Sequence, residues 1–271
     1  PRALLAVLSG SSLAVSGCIL QSMLRNELAT PYTLGVSAGA GLVAGLLVLT
    51  GTALPSWLIV MSGFGGALLA VSLVYSLSRL GTGTSDVRLL LAGITVNLIG
   101  AALLLLVEFF SPASRLVEIV RWMMGDLSTV GMTVPLAVLP FTVAGMLMAF
   151  ARVGTLNQLA VGEDMARSRG VSVGRSRSFL LVSSALLAGS AVGAIGPVGF
   201  VGLIVPHFMR RVVGSDFRRL LPASALGGMI LMLFADAGAR VIVQPAELPI
   251  GIVMALLGGP FFLVLLLRRL G

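Results

Sequence analysis

Few side chains in this sequence could make or break bonds, and their spacing rules out most such chemistry. The single histidine is His207 and the single cysteine is Cys18, which lies in an apolar stretch and can form no internal disulfide. No group of His, Cys and carboxylates has metal-ligand spacing. Nothing supplies the nucleophile, base and orienting acid of a catalytic triad. All eighteen basic residues are arginine, whereas the glycine-rich loop that cradles nucleotide phosphates ends in a lysine. The chain is therefore expected to bind no cofactor and to hydrolyse no ATP, and ATP-driven work would need a second polypeptide.

The remaining polar residues suit recognition and movement. Residues 155–177 read TLNQLAVGEDMARSRGVSVGRSR. Glu163 and Asp164 stand where negative charge favours a helix start, and Gly170 where a short helix would end. A surface helix over 163–169 that docks a partner is predicted, and a solvated linker flanked by stop-transfer arginines is the other reading. Residues 114–124 (SRLVEIVRWMM) put Arg115, Glu118 and Arg121 on one face and apolar residues on another. That is the pattern of an amphipathic interfacial helix with Trp122 at headgroup depth, either bracing the surface or touching ligand. Ionisable groups within membrane spans mark function by default. Glu108 and Asp236, however, fall within a turn or two of a boundary, and Arg240 satisfies Asp236 from four residues away. Asn97 is the one strongly polar side chain deep in a span, suited to an interhelical hydrogen bond or to substrate contact. His207, after Pro206, reads as a structural hydrogen bonder or, alternatively, a ligand contact.

These residues need membrane helices to hold them. The 271 residues are 57% hydrophobic and 10% charged, more apolar surface than a soluble core hides. Apolar stretches of roughly 17–25 residues, long enough to cross a hydrocarbon layer about 30 Å thick, recur throughout; the short alternating segments of a β-barrel do not. Membrane elements are predicted at 3–24, 34–50, 57–78, 89–110, 132–151, 178–195, 199–209, 220–239 and 249–267, an all-α polytopic transmembrane helical bundle of about nine elements. The net charge of +8 does not point to nucleic acid, because the arginines are dispersed between spans. Over alternate loops, fourteen fall on one side and only Arg2, Arg115, Arg121 and Arg240 on the other. Cytoplasmic loops retain positive charge, so the C-terminus is expected inside and Pro1 outside. No signal-peptide pattern precedes the first span.

That count requires 199–209 to cross, although at 1.5 Å per residue it spans only about 16 Å. It is predicted to be a half-helix entered through irregular backbone at Gly196, Pro197 and Gly199. Such backbone survives at membrane depth only where protein or a water-filled cavity surrounds it, which makes it a candidate pathway wall. The 34–50 element is also short, follows Pro31 and carries Gly35, Gly39, Gly41 and Gly45, small residues that permit close helix packing. Short, interrupted elements in both halves are what an inverted repeat would leave, though residue identities display none.

Six blocks, in order, resemble the permease family of bacterial importers for ferric siderophores, haem and cobalamin, the FecCD-type (type II) ABC importers. They are RNELATPYTLGVSAGA (25–40), LLLAGITVN (89–97), WMMGDLS (122–128), LAVGEDMARSRGVSV (159–173), GPVGFVGLIVPHFMRRVVGSDFRRLLP (196–222) and ADAGARVIVQPAELPIGIVMALLGGPFFLVLLLRR (235–269). Glu27 stands where the family usually has proline. Members usually have ten spans, so the family's first helix is expected to be missing ahead of Pro1.

The resemblance implies a single permease domain over 1–271 in the bacterial inner membrane. It implies that Gly162, Glu163, Asp164, Ala166, Arg167 and Gly170 dock into a groove of a cytoplasmic ATPase, two copies of which carry the ATP and Mg. Arg2 and Arg240 would meet acids of a periplasmic or lipid-anchored substrate-binding protein. Thr84 and Ser85 would lie at a cytoplasmic gate, beside the pathway candidates Asn97, Gly196, Pro197 and Gly199. A second permease copy, identical or related, would complete the path, with lipid around it and no nucleic acid. Two rivals remain. A secondary transporter would usually carry a coupling carboxylate near midplane, and an intramembrane enzyme would need metal ligands or paired catalytic groups. Because 199–209 is predicted to cross, Ser215→Cys in a Cys18→Ala background should react with an impermeant thiol reagent only from the cytoplasmic side; reaction from outside would refute the half-helix.

Overall fold

In the computed structural model, which describes residues 1–49, 55–79, 86–129, 131–243 and 246–270, every regular element is helical. The order is α1 (Arg2–Met23), a 3-10 turn (Pro31–Leu34), α2 (Val36–Leu49), α3 (Ser56–Ser78), α4 (Asp86–Phe109), α5 (Ala113–Met123) and α6 (Thr133–Ala151). It continues with α7 (Val153–Val161), α8 (Glu163–Ser168), α9 (Val173–Ile195), α10 (Val201–Val213), α11 (Phe217–Val241) and α12 (Ile250–Leu270). Six of them, α1, α3, α4, α6, α9 and α11, are long and apolar enough to cross a membrane, and the apolar parts of α2 and α12 are shorter. Each predicted element coincides with a helix, and α5 is the predicted amphipathic one. The connection after α6 departs from expectation, holding two helices instead of one. Leu156 and Leu159, three residues apart, are both buried and give α7 an apolar stripe against α1, too short a pattern to stand out in a polar segment.

Helix α1 is the centre of the bundle. It is buried almost all round from Leu5 to Met23 and packs on α6, α9, α10 and α11. A helix surrounded by other helices needs small side chains and satisfied hydroxyls, and α1 has both. Ser12 bonds Thr142 of α6 at 3.0 Å, Ser16 bonds Ser184 of α9 at 2.6 Å, and Ser22 donates to the Leu156 carbonyl of α7 at 3.0 Å. Gln21 donates to the Gly202 carbonyl of α10 at 3.2 Å. Close approach is steric as well: a Cβ on Gly17 would lie 1.9 Å from the Gly202 carbonyl oxygen. The predicted small-residue packing of α2 is realised at Gly39, where a Cβ would stand 2.3 Å from the Gly66 oxygen of α3.

The outer helices are one-sided. On α4 the positions Leu89, Gly93, Val96, Gly100, Leu104 and Val107 face inward, while Leu91, Ile94, Leu98 and Leu105 are more than half exposed. A large apolar face of this kind is normal where lipid or another protein covers it. Since α1 cannot move away from α10 without losing several contacts at once, Gly17→Ala should lower stability in detergent by about 1–3 kcal/mol. Gly65→Ala, where a Cβ meets nothing within 4 Å, should leave thermal unfolding unchanged; equal effects would contradict the packing.

Candidate functional site

The chain breaks between α9, which ends at Ile195, and α10, which starts at Val201. Gly196 has φ 74° and Phe200 φ 68°, a region that glycine adopts freely and other residues rarely. A Cβ on Gly196 would also stand 2.1 Å from the Trp122 carbonyl oxygen. The backbone in the break is satisfied from elsewhere in the fold. The Tyr32 hydroxyl donates to the Val198 carbonyl at 2.6 Å and accepts the Val198 amide at 2.8 Å. The Asp126 amide donates to the Ile195 carbonyl at 2.8 Å, and the Ile250 and Gly251 amides donate to the carbonyls of Gly125 and Met124 at 3.2 and 3.0 Å. The α5–α6 connection is thus bonded both to the break and to the start of α12.

Asn97 makes the interhelical bond, its side-chain amide donating to the Tyr32 carbonyl. Asn97, Tyr32, Trp122 and Pro197 also line one cavity of about 420 Å³, walled mainly by apolar residues of α2 and α4. The structure therefore brings Asn97 together with one of the 196–199 candidates, Pro197. Trp122, which lines this cavity as well, packs against the core. Tyr32 escapes the sequence reading; its signal is that it is one of two tyrosines and that a phenol in apolar surroundings needs a partner. Thr84 and Ser85 lie outside the described residues.

At the other end of α9 the polar connection is anchored. Glu163 pairs with Arg177, whose side chain is 5% exposed, and with Arg167 at 3.1 Å. Arg177 also donates to the Met23 carbonyl at the end of α1 at 3.4 Å. Of the predicted docking residues, Glu163 and Ala166 face inward, Gly162 (φ 152°) and Gly170 (φ 81°) make the bends, and Asp164 and Arg167 are exposed, as are Met165 and Arg169. Asn157 of α7 forms a second clamp that the sequence does not announce. Its side chain donates to Asp216 at 2.7 Å and accepts the Phe217 amide at 2.9 Å, fixing α7 to the start of α11. The Asp216 carboxyl is held below its ordinary value by the Arg218 backbone amide and then by Asn157. The charged cap is thus complete above the ordinary aspartate pKa of about 3.9 and is lost only as pH falls through the lowered value.

Glu27, where the resemblance predicts proline, has a structural role. Its carboxylate lies 3.5 Å from Nδ1 of His207 and 3.7 Å from Arg210, joining the α1–α2 connection to α10. At Arg2 and Arg240 the local pairing of Asp236 with Arg240 is only part of the arrangement. Arg240 lies 3.5 Å from Asp236, but Arg2, brought in from the start of α1, is nearer at 2.7 Å and also bonds Glu247 at 2.6 Å.

The chain is similar to known proteins over nearly its whole length. The model of the FecCD transport family matches residues 1–268. The chain is 42% identical over 277 residues to the hemin transport system permease protein of Yersinia pestis, covering 99% of this chain and 81% of that one. It is 38% identical over 273 residues to the vitamin B12 import system permease protein of Salmonella typhi, covering 99% and 82%. Among solved structures, a metal-chelate type ABC transporter in an inward-facing conformation superposes with a TM-score of 0.92 at 31% identity, over 99% of this chain and 85% of that one.

Removing one member of a buried ion pair costs about 3–5 kcal/mol. Because Glu163 keeps a fifth of its side chain exposed, Glu163→Gln should cost less, about 2–3 kcal/mol in detergent unfolding. Replacing both Glu163 and Arg177 with leucine should recover most of that loss; additive losses would mean the pair is not a unit.

Proposed function

The chain belongs to the FecCD transport family, and from this premise we propose that it is the permease subunit of a binding-protein-dependent ABC importer. It carries an iron-siderophore, haem or cobalamin across the bacterial inner membrane, its C-terminus cytoplasmic, using ATP hydrolysed with Mg on two separate cytoplasmic subunits. A periplasmic or lipid-anchored binding protein delivers the cargo to the face bearing Arg2 and Arg240. Charges at such a rim orient and speed encounter more than they add affinity.

The observation that carries this reading is the α7–α8 block. Helix α8 exposes Asp164 and Arg167, with Arg169 just past its end, to a partner while its Glu163 is tied to the buried Arg177 of α9, about 27 Å along the helix axis from the break at Ile195. Asn157 ties the same block to α11. A push delivered to α8 by a closing ATPase therefore reaches two long helices, and through α9 the broken segment. The permease supplies no bond chemistry; a state-selective partner shifts its balance between outward-open and inward-open forms. The cavity at Asn97 and Pro197 is bordered by the exposed residues Leu98 and Ala101 of α4, which supports a path completed by a second permease copy. Apolar, weakly polar walls suit a bulky chelate that must not be held tightly.

A secondary transporter fits less well, because the acids on the long apolar helices α4 and α11 sit at or near their ends. Vesicles reconstituted with the permease, the ATPase and the binding protein should accumulate at least one of the three cargo classes only with ATP. Asn157→Ala should lower uptake about tenfold more than it lowers ATP hydrolysis. Uptake without the ATPase would overturn the importer reading, and uptake and hydrolysis falling in parallel would remove Asn157 from the coupling route.

A further inference from the structure

Arg2 is where three elements of the outer end meet. Its Nε donates to Oδ1 of Asp236 at 2.7 Å and its Nη1 to Oε2 of Glu247 at 2.6 Å. The two carboxylates are held very differently. Asp236 is 3% exposed and also faces Arg240 at 3.5 Å, so withdrawing Arg2 would strand a buried charge. Half of the Glu247 side chain is exposed, at 51%. An exposed pair of this kind changes an equilibrium by only about two- to fivefold and re-solvates readily. The Glu247 contact is therefore the one that can be exchanged. Beside it lies a small pocket of about 90 Å³ bordered by Arg2, Arg121, Asp126, Ser128 and Glu247.

We propose that Glu247 is a built-in competitor for the docking protein: it occupies the Arg2 guanidinium while the outer face is empty and gives way to an acidic side chain of the arriving binding protein, with Asp236 staying in place. This rests on the reading of Arg2 as a docking residue. The partner chemistry is a carboxylate, since it must replace a carboxylate on the same guanidinium edge. The exchange has a route inward. Glu247 lies in the segment whose next residue, Leu248, donates its amide to the Ala239 carbonyl at 3.1 Å, and whose Ile250 amide donates to Gly125 at 3.2 Å. Asp126, adjacent to Gly125, donates its amide to Ile195 at the edge of the break. Releasing Glu247 frees one end of this chain of bonds, so occupancy of the outer face is passed to the α9–α10 break by covalent neighbours and two backbone hydrogen bonds, Ile250 to Gly125 and Asp126 to Ile195.

The test measures association of the complete permease–ATPase complex in nanodiscs with the system's own purified binding protein, over a range of salt concentrations. Glu247→Gln should strengthen docking about two- to fivefold, chiefly through faster association. Glu247→Ala should do the same, which guards against an effect peculiar to one variant. Glu118→Gln removes the same charge from α5, where Glu118 pairs with Arg115 at 3.3 Å, and should change docking by clearly less. Arg2→Gln should weaken docking, with Arg2→Lys, which keeps a charge beside Asp236, as the variant that preserves the buried pair. If the Glu247 variants dock no better than Glu118→Gln, or dock worse, the competitor is refuted while the Arg2 reading stands. If both Arg2 variants dock normally, the Arg2 reading fails and the competitor fails with it.

Discussion

A backbone that leaves helical geometry inside an apolar bundle must find its hydrogen bonds in the protein, because hydrocarbon offers none and each unpaired group costs several kcal/mol. At the middle of the Gly196–Phe200 segment, Val198 meets that demand through one phenol. Tyr32 gives Val198 both a donor and an acceptor, so a single side chain from the α1–α2 connection satisfies both polar groups of one peptide residue. Asn97 then holds Tyr32 from α4 through its backbone carbonyl. Without this arrangement the break would have to close into helix or collapse, and α10 would lose its direction.

The surroundings of the break can be read as the consequences of keeping it. Helix α1 fills the centre with serines and glycines, and its Gln21 reaches the Gly202 carbonyl in the first turn of α10. Interhelical hydrogen bonds in membranes average only about 0.6 kcal/mol, so the serine pairs fix register more than they add stability. The contacts of Gly17 with Gly202 and of Gly39 with Gly66 make the shape complementarity that dispersion rewards. Strong charge pairing is kept for the ends, at Glu163 with Arg177 and at Arg2 with Asp236, where separate elements are tied together.

Much of this was legible in the residues. Span length located the helices, and Gly196, Pro197 and Gly199 announced irregular backbone because two glycines and a proline within four residues read poorly as helix. The bend at Gly170 and the charge at Glu163 placed α8. What the sequence hides is pairing across distance. Nothing local says that Arg2 will reach Asp236, 234 positions away, when Arg240 stands one turn from it. Nor does composition show that Glu163, which looks like a surface acid, points inward to a buried arginine. Asn157 and Tyr32 carry no pattern of their own, and their roles exist only once α7 lies on α11 and the 3-10 turn lies on the break.

The central claim is that Tyr32 supplies the hydrogen bonds that let the chain break at Val198. Amide hydrogen exchange across 196–203, measured in nanodiscs for the wild-type protein and for Tyr32→Phe, tests it most directly. An orphaned buried amide costs about 1–3 kcal/mol, so the variant should exchange at Val198 at least about fivefold faster, with α1 and α11 unchanged. Equal protection at Val198 in both proteins would contradict the account.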